Sequence, residues 1–200
     1  MAAMGEMIEL RPSVSARERI LESAYDLFSR RGIRGVGIDE VIERAAVAKA
    51  TLYRHFSSKD ELVIAFLERR EEVWTRGRVE AGARSRGTTP EESLLAIFDV
   101  FDEWFHEDGF DGCSFINVLL ETADLEHPIG QASVVHLENI RDILRSLATE
   151  AGLSDPDGFA RKWHILMKGS IVSAGEGDLG AAKRAQEIGR LVLADHRASS

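Results

Sequence analysis

The side chains best suited to chemistry in this 200-residue sequence form one polar and basic run near its N-terminus. Ammonium, guanidinium and hydroxyl groups at this density can bind phosphates and can read the hydrogen-bonding edges of bases. A solvated polar surface is the alternative, because a charge run alone usually indicates nothing more. The candidates for nucleic-acid contact are Arg34, Lys49, Thr51, Tyr53, Arg54, His55 and Lys59.

The distribution of charge supports a basic segment on an acidic body. The net charge of −9 excludes a protein that is basic throughout. Residues 1–62 contain ten basic and ten acidic side chains, whereas residues 63–200 contain fifteen and twenty-four. Between Arg30 and Lys59 the basic residues outnumber the acidic ones by seven to three. Such a chain can meet a polyanion at one end.

Helical spacing of apolar residues dominates the chain, and strand-like alternation is not evident, so the sequence predicts an all-α fold of about nine helices. A first helix is expected to begin after Ser15 and to end at Gly32, where a left-handed residue can stop it. The other predicted helices cover about 38–45, 51–54, 58–83, 90–106, 113–124, 128–151, 156–175 and 179–196. The helix over 58–83 would carry Leu62, Phe66, Val73 and Trp74 inward, and the segment from Gly82 to Thr89 would form a loop.

The second and third predicted helices are short and are separated by only a few residues, Ala46-Val47-Ala48. With the preceding helix they match the geometry of a three-helix, helix-turn-helix DNA reader. Val47 and Leu52 would face inward, and Phe56 would fix the exit of the third helix. The polar run described above would then face outward.

The segment from Gly32 to Leu62 resembles the TetR-type (TetR/AcrR) transcriptional regulators. The strongest part is Thr51-Leu-Tyr-Arg-His-Phe56, followed by Lys59, Glu61 and Leu62. The likeness covers about residues 15–67. Gly37 and Ala48 stand where the family usually has capping hydroxyl residues, and Ala46 replaces the usual turn glycine.

The resemblance implies roles for the candidate residues and a domain organisation. Tyr53, His55 and Lys59 match phosphate-contacting positions of the family, while Lys49 and Thr51 are better placed for base edges. Arg34 precedes the second helix and would touch phosphate or the minor-groove side. The expected organisation is a flexible tail (1–14), a helix-turn-helix DNA-binding domain (15–60) and a helical domain for effector binding and dimerisation (61–197).

Aromatic residues are concentrated in the predicted second domain, where six of the fourteen in the chain lie within eighteen residues, 98–115. They can form ordinary core, or a minority can line a cavity for a small hydrophobic or aromatic effector. The candidates for that cavity, with two polar residues that would orient a ligand, are Trp74, Phe101, Phe105, Asn117, Leu120, His136, Trp163 and Met167.

Small residues recur at helical spacing in the last two predicted helices. They suit close helix packing, either within one chain or across a two-fold dimer interface. The interface is favoured because helix-turn-helix proteins usually pair across two half-sites. The candidate interface residues are Phe159, Leu166, Ser170, Ala174, Ala182, Ala185, Gly189 and Val192.

Other classes of function lack support in the sequence. A single cysteine, Cys113, excludes an internal disulfide, and as a redox sensor it would lack a resolving partner, so a small buried residue is favoured. His106, Cys113, His127 and His136 do not have the spacing of a compact zinc site, so no metal or cofactor is expected. No nucleophile elbow or glycine-rich phosphate loop indicates an enzyme.

The N-terminus has no apolar signal region and no apolar run is long enough to span a membrane, so a cytoplasmic location is expected.

These observations together predict a cytoplasmic, ligand-responsive transcriptional regulator that acts as a repressor. It would bind a palindromic, double-stranded operator DNA as a homodimer and be released by a small hydrophobic effector. The alternative is a helical small-molecule-binding protein or an enzyme without a DNA function.

Overall fold

The computed structural model describes residues 14–198, and every regular element within that range is a helix. The tail predicted over residues 1–14 lies, apart from Val14, outside the described residues. No helix in the described range is long and apolar enough to cross a membrane. The helices are α1 (Ala16–Arg31), α2 (Ile38–Ala45), α3 (Lys49–His55), α4 (Lys59–Arg70), a π-helical segment (Glu71–Glu80), α5 (Ala81–Arg86), α6 (Pro90–Phe105), α7 (Ser114–Thr122), α8 (Pro128–Glu150), α9 (Pro156–Gly175) and α10 (Ala181–Ala198).

Helix α4, the π segment and α5 form one continuous rod, because the backbone stays right-handed helical at both junctions. The prediction of one long fourth helix is therefore confirmed, and counting the rod once gives nine helices over residues 14–198. The rod runs to Arg86 rather than Ala83, so Gly82 lies inside a helix instead of a loop. Val73 was expected to face inward but is 49% exposed. The i→i+5 bonding of the π segment changes the register that a 3.6-residue period assumes.

The first three helices pack around one apolar core. Ser15 caps α1 by accepting a hydrogen bond from the Glu18 amide at 3.1 Å, and Gly32 ends that helix at φ +72°. Leu52 of α3 is fully buried against α1 and α2 and fixes α3 to them. The buried side chains of these helices and their connections include Ile20, Leu21, Ala24, Leu27, Phe28, Ile33, Val36, Val41, Ala45, Leu52 and Phe56.

The N-terminal core extends beyond the helix-turn-helix segment. It includes Leu62 and Phe66 of α4, Phe115 of α7 and Leu137 of α8. A second core fills the body between the rod, α6, α8, α9 and α10. Helices α4, α7 and α8 thus connect the first three helices to the body.

Candidate nucleic-acid interface and effector cavity

Helix α3 presents most of the predicted DNA-contacting residues. Lys49, Tyr53 and Arg54 are exposed, and Tyr53 keeps 43% of its surface accessible. Thr51 and His55 are half-buried on the same helix. A short helix that is fixed by one buried leucine and carries polar groups outward has the form of a recognition helix.

Two of these side chains, Lys49 and Arg54, make side-chain contacts on the same surface. Lys49 Nζ lies 3.1 Å from Asp39 Oδ1, and this hydrogen bond raises the pKa of the Lys49 ammonium. Arg54 Nη2 donates to Thr51 Oγ1 at 3.1 Å. Exposed contacts of this kind contribute little free energy, so DNA can replace them at low cost.

Lys59 and Arg34 have structural contacts as well as positions near α3. The half-buried Lys59 Nζ donates to the Val36 carbonyl oxygen at 2.6 Å and so fixes the connection between α1 and α2. The exposed Arg34 donates its backbone N–H to Glu121 Oε2, on α7, at 2.7 Å. The contact joins the connection before α2 directly to the second domain.

One basic residue near α3, Arg17, is not among the DNA-contacting residues predicted from the sequence. Arg17 is exposed on α1, and its guanidinium carbon lies 5.1 Å from the centre of the Phe56 ring at the end of α3. It stands outside the basic segment counted from Arg30 to Lys59, so only the packing of α1 against α3 reveals it.

The three departures from the family pattern have visible local consequences. Gly37 and Ala48 are the N-cap residues of α2 and α3, and neither helix has a side-chain hydrogen bond at its cap. Ala46, in the turn between them, adopts a left-handed conformation at φ 50° and ψ 52°. That region favours glycine, so the turn stores backbone strain.

A cavity lies in the second domain between the rod, α6, α7, α8 and α9. Its volume is about 50 Å³, well below the size of a typical ligand site, and its lining is mainly apolar. Trp74, Phe101 and Met167, three of the eight residues predicted for an effector site, line it. Trp74 also packs against Trp104, with ring centres 4.5 Å apart and ring planes tilted by 53°.

The other predicted cavity residues lie elsewhere. Phe105 packs into the aromatic core, with its ring centre 5.0 Å from that of Phe110, and the fully buried Trp163 packs against Phe98 and Phe159. Leu120 is 71% exposed. Asn117 is exposed and donates to the Asp111 carbonyl oxygen at 3.1 Å. Helical periodicity finds the inward face but does not distinguish a cavity wall from solid core.

His136 is held in a separate buried polar cluster. Its Nδ1 lies 2.5 Å from Glu71 Oε2, and its ring stacks on Phe115. Burial alone would raise the pKa of the Glu71 carboxyl, but hydrogen bonds from Asn139, His136 and Arg76 outweigh burial and lower it. The cluster ties the π segment to α8, which leaves His136 outside the cavity wall.

Several polar residues that were not predicted for the effector site line the cavity, among them Cys113, His164 and Lys168. Cys113 is part of the lining, and burial raises the pKa of its thiol. His164 and Lys168 lie four residues apart on α9 and face the cavity together. Their spacing of four residues, which places both side chains on one face of α9, is visible in the sequence. The neighbouring Trp163 and Met167, however, indicated that this face is ordinary core. No group of three His, Cys, Asp or Glu residues in the described range could hold a metal ion.

The predicted stripe of small residues packs within the chain. Phe159, Ser170, Ala174, Ala182, Ala185 and Gly189 are buried, and Leu166 and Val192 are half-buried. A Cβ on Gly189 would lie 2.8 Å from the Trp163 ring, so the small residue allows close packing of α10 on α9. These eight positions are thus used inside one subunit. The large apolar residues that α9 and α10 expose are Ile165, Val172, Ile188 and Leu191.

Two short helices joined by a tight turn, braced by α1 and presenting a polar recognition helix, define a helix-turn-helix DNA-binding protein. Residues 20–66 match the family model of bacterial regulatory proteins of the tetR family. A TetR-family transcriptional regulator from Streptomyces coelicolor is 31% identical, with 90% of this chain and 95% of that chain covered and a TM-score of 0.82. The chain therefore belongs to the TetR family and is a transcriptional regulator, not an enzyme.

Further relatives match parts of the chain. The transcriptional activator FasR of Mycolicibacterium smegmatis is 35% identical over 97 residues, which are 48% of this chain and 43% of FasR. The transcriptional repressor NemR of Escherichia coli is 25% identical over 116 residues, 58% of each protein. The structure of reduced NemR shares the fold at 21% identity, with a TM-score of 0.80 over 89% of this chain and 96% of that chain.

Proposed function

We propose that this regulator is a cytoplasmic, ligand-responsive repressor that binds a palindromic operator as a homodimer and is released by a small hydrophobic effector. The exposed polar face of α3, held in place by the buried Leu52, is the observation that carries the proposal. Residues 15–60 form its DNA-binding domain and residues 61–197 its effector and dimerisation domain.

The DNA interface is tested with duplexes from the region next to the gene itself. Tyr53→Phe removes one phosphate hydrogen bond, so affinity should fall about tenfold for all sequences alike. Lys49→Ala should instead change the preference among operator variants. Lys183→Ala, a change of an exposed lysine in the body, is the control. Absence of salt-dependent duplex binding by the wild type would refute the proposal.

The homodimer is proposed to form through the exposed apolar face of α9 and α10. Two recognition helices must lie about 34–36 Å apart to enter successive major grooves, which requires a rigid interface. Ile165 and Leu191, 69% and 71% exposed, give that face an apolar centre. Ala185 is only 6% exposed, so a charge at Ala185 would disturb the subunit itself.

Leu191→Glu should separate the subunits, because it would bury an unpaired carboxylate in the interface. Leu120→Glu is a matched control, since Leu120 on α7 is also 71% exposed. Sedimentation of both variants measures the result. A Leu191→Glu protein that remains dimeric would place the interface elsewhere.

Effector binding is proposed to act on DNA through the walls of the cavity. A molecule larger than about 50 Å³ must move those walls apart. One wall is the rod, which begins beside α3 at Lys59 and reaches the cavity at Trp74. Another is α7, which lines the cavity at Phe115 and holds the Arg34 amide through Glu121.

The two bound states would oppose each other, since effector and DNA favour different separations of the recognition helices. Effector should raise the melting temperature and weaken operator binding, with a coupling free energy of about 1–3 kcal/mol. A stabilising ligand that leaves operator affinity unchanged would refute the coupling. Deleting the gene should raise transcription from the operator's promoter, and a fall would identify an activator.

A further inference from the structure

Two polar side chains face the cavity without protein partners. His164 is 3% exposed, and its Nδ1 has no hydrogen-bond partner. Lys168, four residues further along α9, is half-buried, and its ammonium makes neither a hydrogen bond nor an ion pair with any residue in 14–198. Burying such groups unpaired costs free energy, so a partner that the chain does not supply is expected.

The charged residues around the cavity determine which charge the missing partner should carry. Burial, followed by repulsion from Arg141, lowers the pKa of Lys168. Arg70, a second cation on the wall, donates to the Tyr25 hydroxyl and lies over the Trp74 ring, with no carboxylate in ion-pair range among the described residues.

Among the described residues that line the cavity, the acidic one is Glu80. Its Oε1 already lies 3.5 Å from Arg84 Nε. Two cations therefore line the space, against one carboxylate that already has an ion-pair partner. A positively charged ligand would be repelled, and a neutral one would leave the Lys168 ammonium unpaired. An anion can accept hydrogen bonds from both Lys168 and His164, and such charge-assisted bonds are the strong ones.

We propose that the effector is an aromatic or alicyclic carboxylate, whose anionic group is bound by Lys168 and His164. The ring would pack against Trp74, Phe101 and Met167, which form the apolar part of the wall. This inference rests on the proposed effector role of the cavity and adds the chemical class of the ligand.

The test compares carboxylates, amides and amines on the same ring skeletons, beginning with benzoate, benzamide and benzylammonium and continuing with naphthalene analogues. Binding is measured by calorimetry and thermal shift at pH 7. The carboxylates should bind at least about tenfold more tightly than the amides, because a hydrogen bond to a charged group is stronger than a neutral one. The amines should not bind.

Lys168→Met should remove the preference for carboxylates and should also raise the melting temperature without ligand, because an unpaired buried charge is lost. A merely structural role for Lys168 would lower that temperature instead. Lys168→Arg should keep the preference. Lys162→Met, the same change at an exposed lysine of α9, is the matched control and should leave the preference unchanged.

The possible outcomes separate the two proposals. Preferential binding of amides or amines, or a carboxylate preference that survives Lys168→Met, would overturn the anionic ligand and leave the effector role of the cavity standing. Carboxylates that bind as expected without weakening operator DNA would refute the coupling alone. A protein that binds its operator but none of the three ligand classes would contradict the anionic ligand and the effector cavity together.

Discussion

The buried imidazole of His164 predicts how the stability of this protein depends on pH. Burial, helped by the neighbouring Lys168 and Arg141, lowers the pKa of His164 from 6.5 to about 3. The folded state therefore keeps this ring neutral where the unfolded chain binds a proton. Between pH 6.5 and 3 the unfolded state binds more protons, so the free energy of unfolding falls as the pH falls.

The magnitude follows from the two pKa values. Well above pH 6.5 this group does not affect stability, and as the pH falls through 6.5 the loss approaches about 1.4 kcal/mol per pH unit. Between pH 7 and pH 5 the loss integrates to about 2 kcal/mol from His164 alone. That is a large part of the stability of an ordinary domain.

Urea unfolding of wild type and His164→Leu at pH 7, 6 and 5 measures the effect, at one protein concentration because dimerisation adds to stability. The difference between the two proteins should shift by about 2 kcal/mol from pH 7 to pH 5, in favour of the variant. His106→Leu, a change at an exposed histidine, is the control. If wild type and His164→Leu lose stability in parallel, the imidazole is not buried in its neutral form.

Changes at three further positions test local features. Ala46→Gly should relieve the left-handed strain and stabilise by about 1 kcal/mol, a rise of about 2–4 °C in melting temperature, whereas Ala46→Val should lower it. Ala48→Ser adds the missing cap of α3 and should stabilise by about 0.5–2 kcal/mol in urea unfolding, and no gain would show the cap amides already satisfied. Glu121→Ala cuts the bond to the Arg34 amide, so the effector should weaken operator binding less. If the effector weakens operator binding as much in Glu121→Ala as in the wild type, the rod rather than α7 transmits the effect.

The helix-turn-helix could be predicted from the sequence because its determinants are close together in the chain. A serine cap, apolar residues at helical spacing and a buried Leu52 act within a few turns of each other. The continuous rod could also be predicted, but the π segment inside it could not. Local propensity does not encode i→i+5 bonding, and Val73 therefore lies on the exposed surface instead of the expected core.

The cavity and the packing of the last two helices were decided by tertiary structure. Phe101 and Phe105 lie on one face of α6 and look equivalent in sequence, yet only Phe101 meets the space between α8 and α9. His164 and Lys168 resemble polar residues at the margin of a core helix until the cavity is seen beside them. Helical periodicity specifies which side of a helix is buried, whereas the distant helices that pack there determine whether that side meets solid core, an open cavity or another subunit.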